Sequence, residues 1–265
     1  MTTEYGACNL ALVPLRAEAS DKSEILSFLL FGDCFEILET RPKWLQVRTL
    51  ADDYTGWIDP KQQQNLTAAQ LRNHRAATAV TGLAITHTIE RMDNGERLHL
   101  VSGSRIPAPN PAGHFKIGEV AYRFTKASKL VASHDFDRLI NECARFYLNA
   151  PYLWGGKSIF GIDCSGFTQM VFRMLHIDIA RDAWQQAEQG SVVNFLQEIK
   201  PGDLAFFDND EGRITHVGII LDSQQIIHAS GKVRIDVIDD QGIYNAETGR
   251  HTHKLRIIKR FTNQP

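Results

Sequence analysis

The stretch FGIDCSGFTQMVFRML, residues 160–175, places a cysteine at the start of an amphipathic helix. From Phe167 onward, apolar residues recur at the i, i+3, i+4, i+7 and i+8 positions that give a helix one buried face. Asp163 is a favourable N-cap residue, which predicts that Cys164 is the first helical residue. The unpaired N–H groups and partial positive charge of a helix N-terminus favour a thiolate there. The stretch therefore predicts a nucleophilic cysteine, and the alternative is a cysteine that follows an N-cap by chance.

A cysteine nucleophile needs a base, and the base needs a third group that orients it. His216 opens the strand-like segment HVGIIL, and His228 lies at the end of the next one, in IIHASG. In an antiparallel pair of strands, these two imidazoles could lie side by side, although each alone is more often structural than catalytic. Polar sequence surrounds several other histidines, among them His253, and predicts that they lie on the solvated surface.

The order of segments after about residue 130 predicts an α+β fold. Two helical segments, including one over 135–149, come first, and three strand segments follow, which is typical of helices packed on one antiparallel sheet. Before residue 130 the chain reads as short strands separated by turns, which favours small barrels. Residues 67–78 are expected to form a short helix or a linker, and Asn94-Gly95 predicts a hairpin. These patterns divide the chain into three segments, residues 1–64, 65–128 and 129–265.

Composition narrows the class of protein. The 265 residues are 43% apolar and carry a net charge of −2, so a sizeable core is expected and no basic surface for nucleic acid is indicated. There is no apolar run long enough to span a membrane, and the first residues lack the basic start of a signal peptide. A cytoplasmic location is therefore expected, with removal of an export signal as the alternative. The four cysteines are scattered without a CxxC motif, which predicts no metal site.

Four segments, DCSGFTQMVF, KPGDLAFF, HVGIIL and IIHASG, resemble the NlpC/P60 cysteine peptidases. Two others, VPLRAEASDKSE and DDYTGWI, resemble the bacterial SH3 domains that precede the catalytic domain in one branch of that family. The resemblance implies a papain-like NlpC/P60 domain over residues 129–265, an α+β fold with helices packed on an antiparallel sheet. It also implies two SH3-like barrels before it, of which the first closes the substrate pocket, and no metal or other cofactor.

The resemblance implies roles for individual residues. Cys164 is the nucleophile, His216 the base and His228 the residue that orients the base. Substrate binding is implied for Glu18, Tyr54, Tyr152, Trp154, Asp163, Ser165 and Asp182. Within that set, Glu18 and Tyr54 match residues that hold the substrate's free amine, with a solvated turn carboxylate and plain barrel packing as their respective alternatives. The family often has a hydroxyl residue just after the aspartate at position 182, where this chain has Ala183 and Trp184.

The branch that the chain resembles comprises γ-D-glutamyl-L-diamino acid endopeptidases of the dipeptidyl-peptidase VI type, which recycle cell-wall peptides. The resemblance implies hydrolysis of the γ-D-Glu–L-diamino acid bond, with meso-diaminopimelate or lysine as the diamino acid, in murein peptides with a free N-terminal L-Ala. Such a peptide is the expected partner, and no nucleic acid or membrane is expected. Two alternatives are an endopeptidase that acts on intact peptidoglycan and a non-catalytic wall-binding protein.

Overall fold

The computed structural model describes residues 3–76, 78–126, 130–131 and 136–261 of the chain. The chain divides into two compact units, Met1–Ser133 and His134–Pro265. The further division of the first unit near residue 64 stays a prediction.

The first unit begins with a seven-stranded antiparallel sheet in the order β3-β2-β6-β5-β4-β1-β7. Along β5, Leu45 and Val47 are buried and Arg48 is exposed, the alternation of a strand with one face on a core. A 3₁₀ turn, Pro60–Gln62, leads into the last strand. The strands are β1 (Glu4–Cys8), β2 (Leu12–Arg16), β3 (Ile25–Leu30), β4 (Cys34–Arg41), β5 (Trp44–Thr49), β6 (Thr55–Ile58) and β7 (Gln63–Leu66).

In the rest of the first unit, the part that the structure describes forms one helix and two smaller sheets. Helix α1 (Ala68–Ala76) confirms the helical alternative for residues 67–78. Asn94-Gly95 joins two antiparallel strands, β9 and β10, which confirms the predicted hairpin. The sheets have the orders β10-β9-β13-β12 and β11-β8-β14. Their strands are β8 (Thr78–Thr81), β9 (His87–Arg91), β10 (Arg97–Leu100), β11 (Arg105–Pro107), β12 (His114–Ile117), β13 (Val120–Phe124) and β14 (Leu130–Val131).

The described residues of the second unit form three α-helices, α2 (Phe136–Phe146), α3 (Cys164–Met174) and α4 (Ala183–Glu188). The helix expected over 135–149 ends earlier, at Phe146, and residue 135 lies outside the described residues. Its end is explained by Asn149, which adopts a positive φ of 68°, and by Pro151 two residues later. Two short strands, β15 (Lys157–Ser158) and β16 (Gly161–Ile162), form a hairpin just before α3.

Seven further strands form the main sheet of the second unit, in the order β17-β23-β18-β19-β20-β21-β22. The strand β23 pairs with β22 as well as with β18, so the six strands from β18 to β23 close into a ring. A 3₁₀ turn, Leu196–Glu198, lies between β17 and β18 in the sequence. The strands are β17 (Ser191–Val193), β18 (Leu204–Asp208), β19 (Ile214–Ile220), β20 (Gln225–Ser230), β21 (Lys232–Ile238), β22 (Gly242–Asn245) and β23 (Arg250–Arg260).

Helix α3 is buried along its whole length and packs against β19 and β20. This arrangement confirms the prediction of an α+β fold with helices on an antiparallel sheet. Burial of the complete helix explains why its sequence is almost entirely apolar or small after the N-cap. Among the helices of the described residues, none is long and apolar enough to cross a membrane.

Candidate active site

Cys164 is the first residue of α3, as its sequence context predicts. Asp163 caps the helix with an extended backbone, and its Oδ1 accepts the Gly166 N–H at 2.6 Å. A Cβ on Gly166 would lie 2.3 Å from the carbonyl oxygen of Gly156, so only glycine fits at this position. The cysteine is therefore held at a fixed place by the cap on one side and a close backbone approach on the other.

A buried ion pair that the sequence analysis missed supports this cap. Arg181 is fully buried, and its two terminal nitrogens donate to Asp163 Oδ1 at 3.1 Å and Oδ2 at 2.5 Å. Arg181 also donates to Ser165 Oγ at 2.9 Å, and the Gly155 N–H donates to Asp163 Oδ2 at 2.8 Å. Asp163 and Ser165 thus have observed roles in holding the helix start, while their contact with a substrate stays a prediction.

The two predicted histidines meet in the main sheet. Strands β19 and β20 pair antiparallel, and His216 Nε2 lies 2.9 Å from His228 Nδ1. His228 Nε2 in turn lies 2.9 Å from Oδ2 of Asp236, in β21. Arg234 Nε donates to Oδ2 of the same carboxylate at 2.6 Å, and its terminal nitrogen donates to Oδ1 at 2.9 Å. Asp236 is a fourth member of the predicted Cys-His-His set.

Asp236, at the end of this series of hydrogen bonds, favours one tautomer of His228 and of His216. Burial raises the pKa of Asp236, but hydrogen bonds from His228 and Arg234 and their charges outweigh it, so the pKa is lowered and the carboxylate is charged. A carboxylate only accepts, so His228 Nε2 donates to Asp236, and in the neutral tautomer of His228 the Nδ1 atom is an acceptor. His216 Nε2 then donates to His228, which leaves His216 Nδ1 as the free basic nitrogen.

The electrostatics of the thiol differ from the sequence expectation. Burial, followed by the charge of Asp163, raises the pKa of Cys164 to about 12, although N–H groups of Val217 and Ser165 oppose the shift. Burial and the charges of His228 and His253 lower the pKa of His216 well below its usual value. Loss of water around the sulfur therefore opposes the thiolate that the helix N-terminus favours. Both shifts favour a neutral thiol and a neutral imidazole in the resting protein.

The prediction of a solvated His253 is wrong. Its ring stacks on that of His216, with centroids 4.1 Å apart and an angle of 26° between the planes. Burial lowers the pKa of His253 to about 4, so it is a neutral neighbour of the base at pH 7. Among the described residues, nitrogens of His216, His228 and His253 lie within 4.8 Å of one another, close enough to hold a metal ion. A metal there would replace the hydrogen bond that joins His216 to His228.

Three more predicted residues lie in the second unit. Tyr152 is half-buried, and burial, followed by the charges of Cys164 and Asp163, raises its pKa to about 12, so its hydroxyl stays a donor. The indole of Trp154 is 62% exposed. Asp182 is half-buried and precedes α4, where its N–H donates to Gln185 Oε1 at 3.1 Å. Their contacts with a substrate stay predictions.

The remaining two predicted residues lie in the first unit. Glu18 is exposed in the turn after β2, where its N–H donates to Ser23 Oγ at 2.9 Å. Tyr54 is half-buried and packs against the apolar cluster around Leu15 and Val47. The packing alternative for Tyr54 thus has a structural basis, and the amine-binding role of both residues stays a prediction.

Two parts of the chain match known protein families. Residues 149–251 match the NlpC/P60 family, and residues 15–62 match the bacterial dipeptidyl-peptidase SH3 domain. A solved structure of an NlpC/P60 family protein from Bacillus cereus ATCC 10987 superimposes with a TM-score of 0.79 at 17% identity, covering 97% of this chain and 99% of that one. This structural similarity shows that the two proteins have the same fold.

Two curated relatives have names that state an activity. The gamma-D-glutamyl-L-lysine dipeptidyl-peptidase of Bacillus subtilis (strain 168) is 39% identical over 123 residues, 44% of this chain and 41% of that protein. Dipeptidyl-peptidase 6 of Lysinibacillus sphaericus is 27% identical over 250 residues, 86% of this chain and 89% of that protein. The chain thus spans less than half the length of the first relative and most of the second.

Proposed function

The chain belongs to the NlpC/P60 family through residues 149–251, and we propose that it is a cysteine peptidase that hydrolyses the γ-D-Glu–L-diamino acid bond of murein peptides. Its substrates carry a free N-terminal L-Ala, and lysine or meso-diaminopimelate is the diamino acid. The observation that carries the proposal is the chain of hydrogen bonds from His216 through His228 to Asp236, next to the helix that begins with Cys164. The name of the Bacillus subtilis relative, which contains gamma-D-glutamyl-L-lysine, supports the choice of bond. The proposal places the reaction in the cytoplasm, in the recycling of wall peptides.

The proposed reaction proceeds in two halves. His216 Nδ1 takes the thiol proton as the Cys164 sulfur attacks the γ-carbonyl carbon of D-Glu, and the Cys164 N–H and the Tyr152 hydroxyl donate to the resulting oxyanion. The C–N bond then breaks, and His216 gives its proton to the leaving amine of the diamino acid. Water, deprotonated by His216, attacks the thioester and releases L-Ala-D-Glu, and the proton returns to the thiol.

Product analysis tests this function directly. Incubation with L-Ala-γ-D-Glu-L-Lys is expected to give L-Ala-D-Glu and free lysine, which mass spectrometry distinguishes from every other cleavage. The corresponding peptide with meso-diaminopimelate provides the second substrate. Failure to cut either peptide would refute the proposed function.

The free amine of the substrate gives a further prediction. In the proposal, the carboxylate of Glu18 pairs with the ammonium of L-Ala, and N-acetylation removes that positive charge and adds bulk. N-acetylation of L-Ala should therefore lower kcat/KM strongly, and Glu18→Gln should reduce the preference for the free amine. The measurement compares kcat/KM for free, N-acetylated and glycan-linked peptides with both proteins. Equal cleavage of all three by the unchanged protein would instead favour an endopeptidase on intact wall.

The shifted pKa values predict an unusual pH dependence. His216 must be neutral to accept the thiol proton, and its pKa is lowered, so kcat/KM should fall only well below pH 6.5. The pKa of Cys164 is raised to about 12, so its alkylation by iodoacetamide should still be accelerating above pH 8.5.

Peptide mapping of the alkylated protein assigns the rate to Cys164, and Cys164→Ala gives the background from the other cysteines. An alkylation rate that is already constant at pH 7 would mean that the resting protein holds a thiolate and an imidazolium. It would contradict the assignment of a neutral pair.

A further inference from the structure

A cavity of about 680 Å³ lies in the second unit, outside the hydrogen-bonded chain of histidines. Its walls come from the end of β18 and the turn after it, the start of β19, the turn between β21 and β22, and the first half of β23. The lining residues that matter here are Phe207, Asp208, Asp210, Asp240, His253 and Lys254.

One wall of this cavity contains a carboxylate that lacks part of its hydrogen bonding. The side chain of Asp208 is 4% exposed, and its Oδ1 has no hydrogen-bond partner among the described residues. The nearest cation is Arg256, whose Nε lies 3.8 Å from Oδ2 and whose side chain is 65% exposed. A buried carboxylate oxygen without a donor is costly, so a donor that enters the cavity would be stabilised there.

The same cavity adjoins the base. Phe207 and His253 both line it, and their ring centroids lie 5.8 Å and 4.1 Å from that of His216. His216 delivers its proton to the leaving amine in the proposed reaction. The diamino acid that carries this amine must therefore lie against His216, within reach of the cavity next to it.

We propose that this cavity binds the side-chain ammonium of the diamino acid and that Asp208 is the carboxylate that accepts its hydrogen bond. The proposal rests on the proposed function and specifies how the leaving group is recognised. Asp210 and Asp240 add negative charge at the same cavity, so that with Lys254, the cross-strand neighbour of Asp208, the lining carries three carboxylates and one ammonium. A hydrogen bond from an ammonium to a carboxylate is stronger than one between neutral groups. A neutral side chain of equal length would leave Asp208 charged and without its donor, and the site would reject it.

The test compares L-Ala-γ-D-Glu-L-Lys with the same peptide carrying norleucine, which has the lysine chain without its ammonium. We expect kcat/KM to be roughly 10²-fold higher for the lysine peptide, the effect of losing one partner of a buried charge pair. Asp208→Asn should lower kcat/KM for the lysine peptide to about that for the norleucine peptide, so that the ratio approaches one.

Asp222→Asn is the matched control, because Asp222 is an exposed turn carboxylate outside the cavity, and it should keep the full preference for lysine. Equal cleavage of the two peptides by the unchanged protein would overturn the ammonium site while leaving the proposed function intact. A preference that survives in Asp208→Asn would also overturn it. If neither peptide is cut, the proposed function itself fails.

Discussion

Cys164→Ala is expected to lower turnover of L-Ala-γ-D-Glu-L-Lys by at least roughly 10⁴-fold, because no other group can form the thioester. The thiol is the first residue of a helix whose cap is held by a buried ion pair, and it lies next to Val217, which follows the base in β19. The helix should survive the substitution, since alanine is a favourable helical residue. The measurement is the single-turnover rate with purified protein, together with thermal unfolding to show that the fold is retained.

Cys143→Ala is the control for this substitution. Cys143 lies in α2 and is 1% exposed, and burial, followed by the charge of Glu142, raises its pKa to about 12. Its removal should cost stability within the usual range for a core truncation, roughly 0.5–3 kcal/mol, and leave turnover per folded molecule unchanged. Near-normal turnover in Cys164→Ala would refute covalent catalysis by this thiol.

Substitutions along the hydrogen-bonded chain should have graded effects. His216→Ala removes the group that moves the proton and should lower kcat/KM by roughly 10²–10⁴-fold. His228→Ala should leave more activity, because His228 only orients the base. In Asp236→Asn, an amide can donate to His228 Nε2 where the carboxylate could only accept, which favours the opposite tautomer of both imidazoles. His216 Nδ1 would then carry a proton, so we expect a loss close to that of His216→Ala.

Asp239→Asn is the matched control for the carboxylate. Asp239 Oδ2 also pairs with a histidine, His251 Nε2, at 2.9 Å, but this pair is not part of the hydrogen-bonded series His216–His228–Asp236. The control should keep near-normal kcat/KM. Unchanged rates in His216→Ala, or a loss in Asp239→Asn as large as that in Asp236→Asn, would show that the hydrogen-bonded chain is structural.

The parts of the site that the sequence predicts depend on local patterns. Asp163 as a cap and Cys164 as the first helical residue follow from adjacent residues and a helical period. The approach of His216 to His228 follows from two strands joined by a short turn. These features need only neighbours in sequence, and the structure confirms all of them.

The parts that the sequence analysis missed depend on burial and on register. Asp236 had a detectable signal, because the tight turn at Gly231 pairs His228 with Arg234 and places Asp236 two residues further along the same face. The contact of His253 with His216 depends on how β23 crosses the sheet, which no local pattern contains. The high pKa of Cys164 likewise arises from the tertiary packing that removes water from the sulfur.

The pairing of β23 has a consequence for the order of folding. Strands β18 to β22 follow one another as hairpins, each of which forms from residues close in sequence, whereas β23 must pair with β18 at the far end of that series. Loop-closure entropy disfavours such distant pairs, so we expect the pairing of β23 with β18 to form after the hairpin of β23 with β22. Before β23 pairs with β18, the hydrogen bond between His216 and His228 can already form, but the stacking of His253 on His216 and the closed cavity lined by Asp208 are missing. A partly folded chain would therefore have the base and the residue that orients it before it has the cavity that is proposed to bind the leaving group.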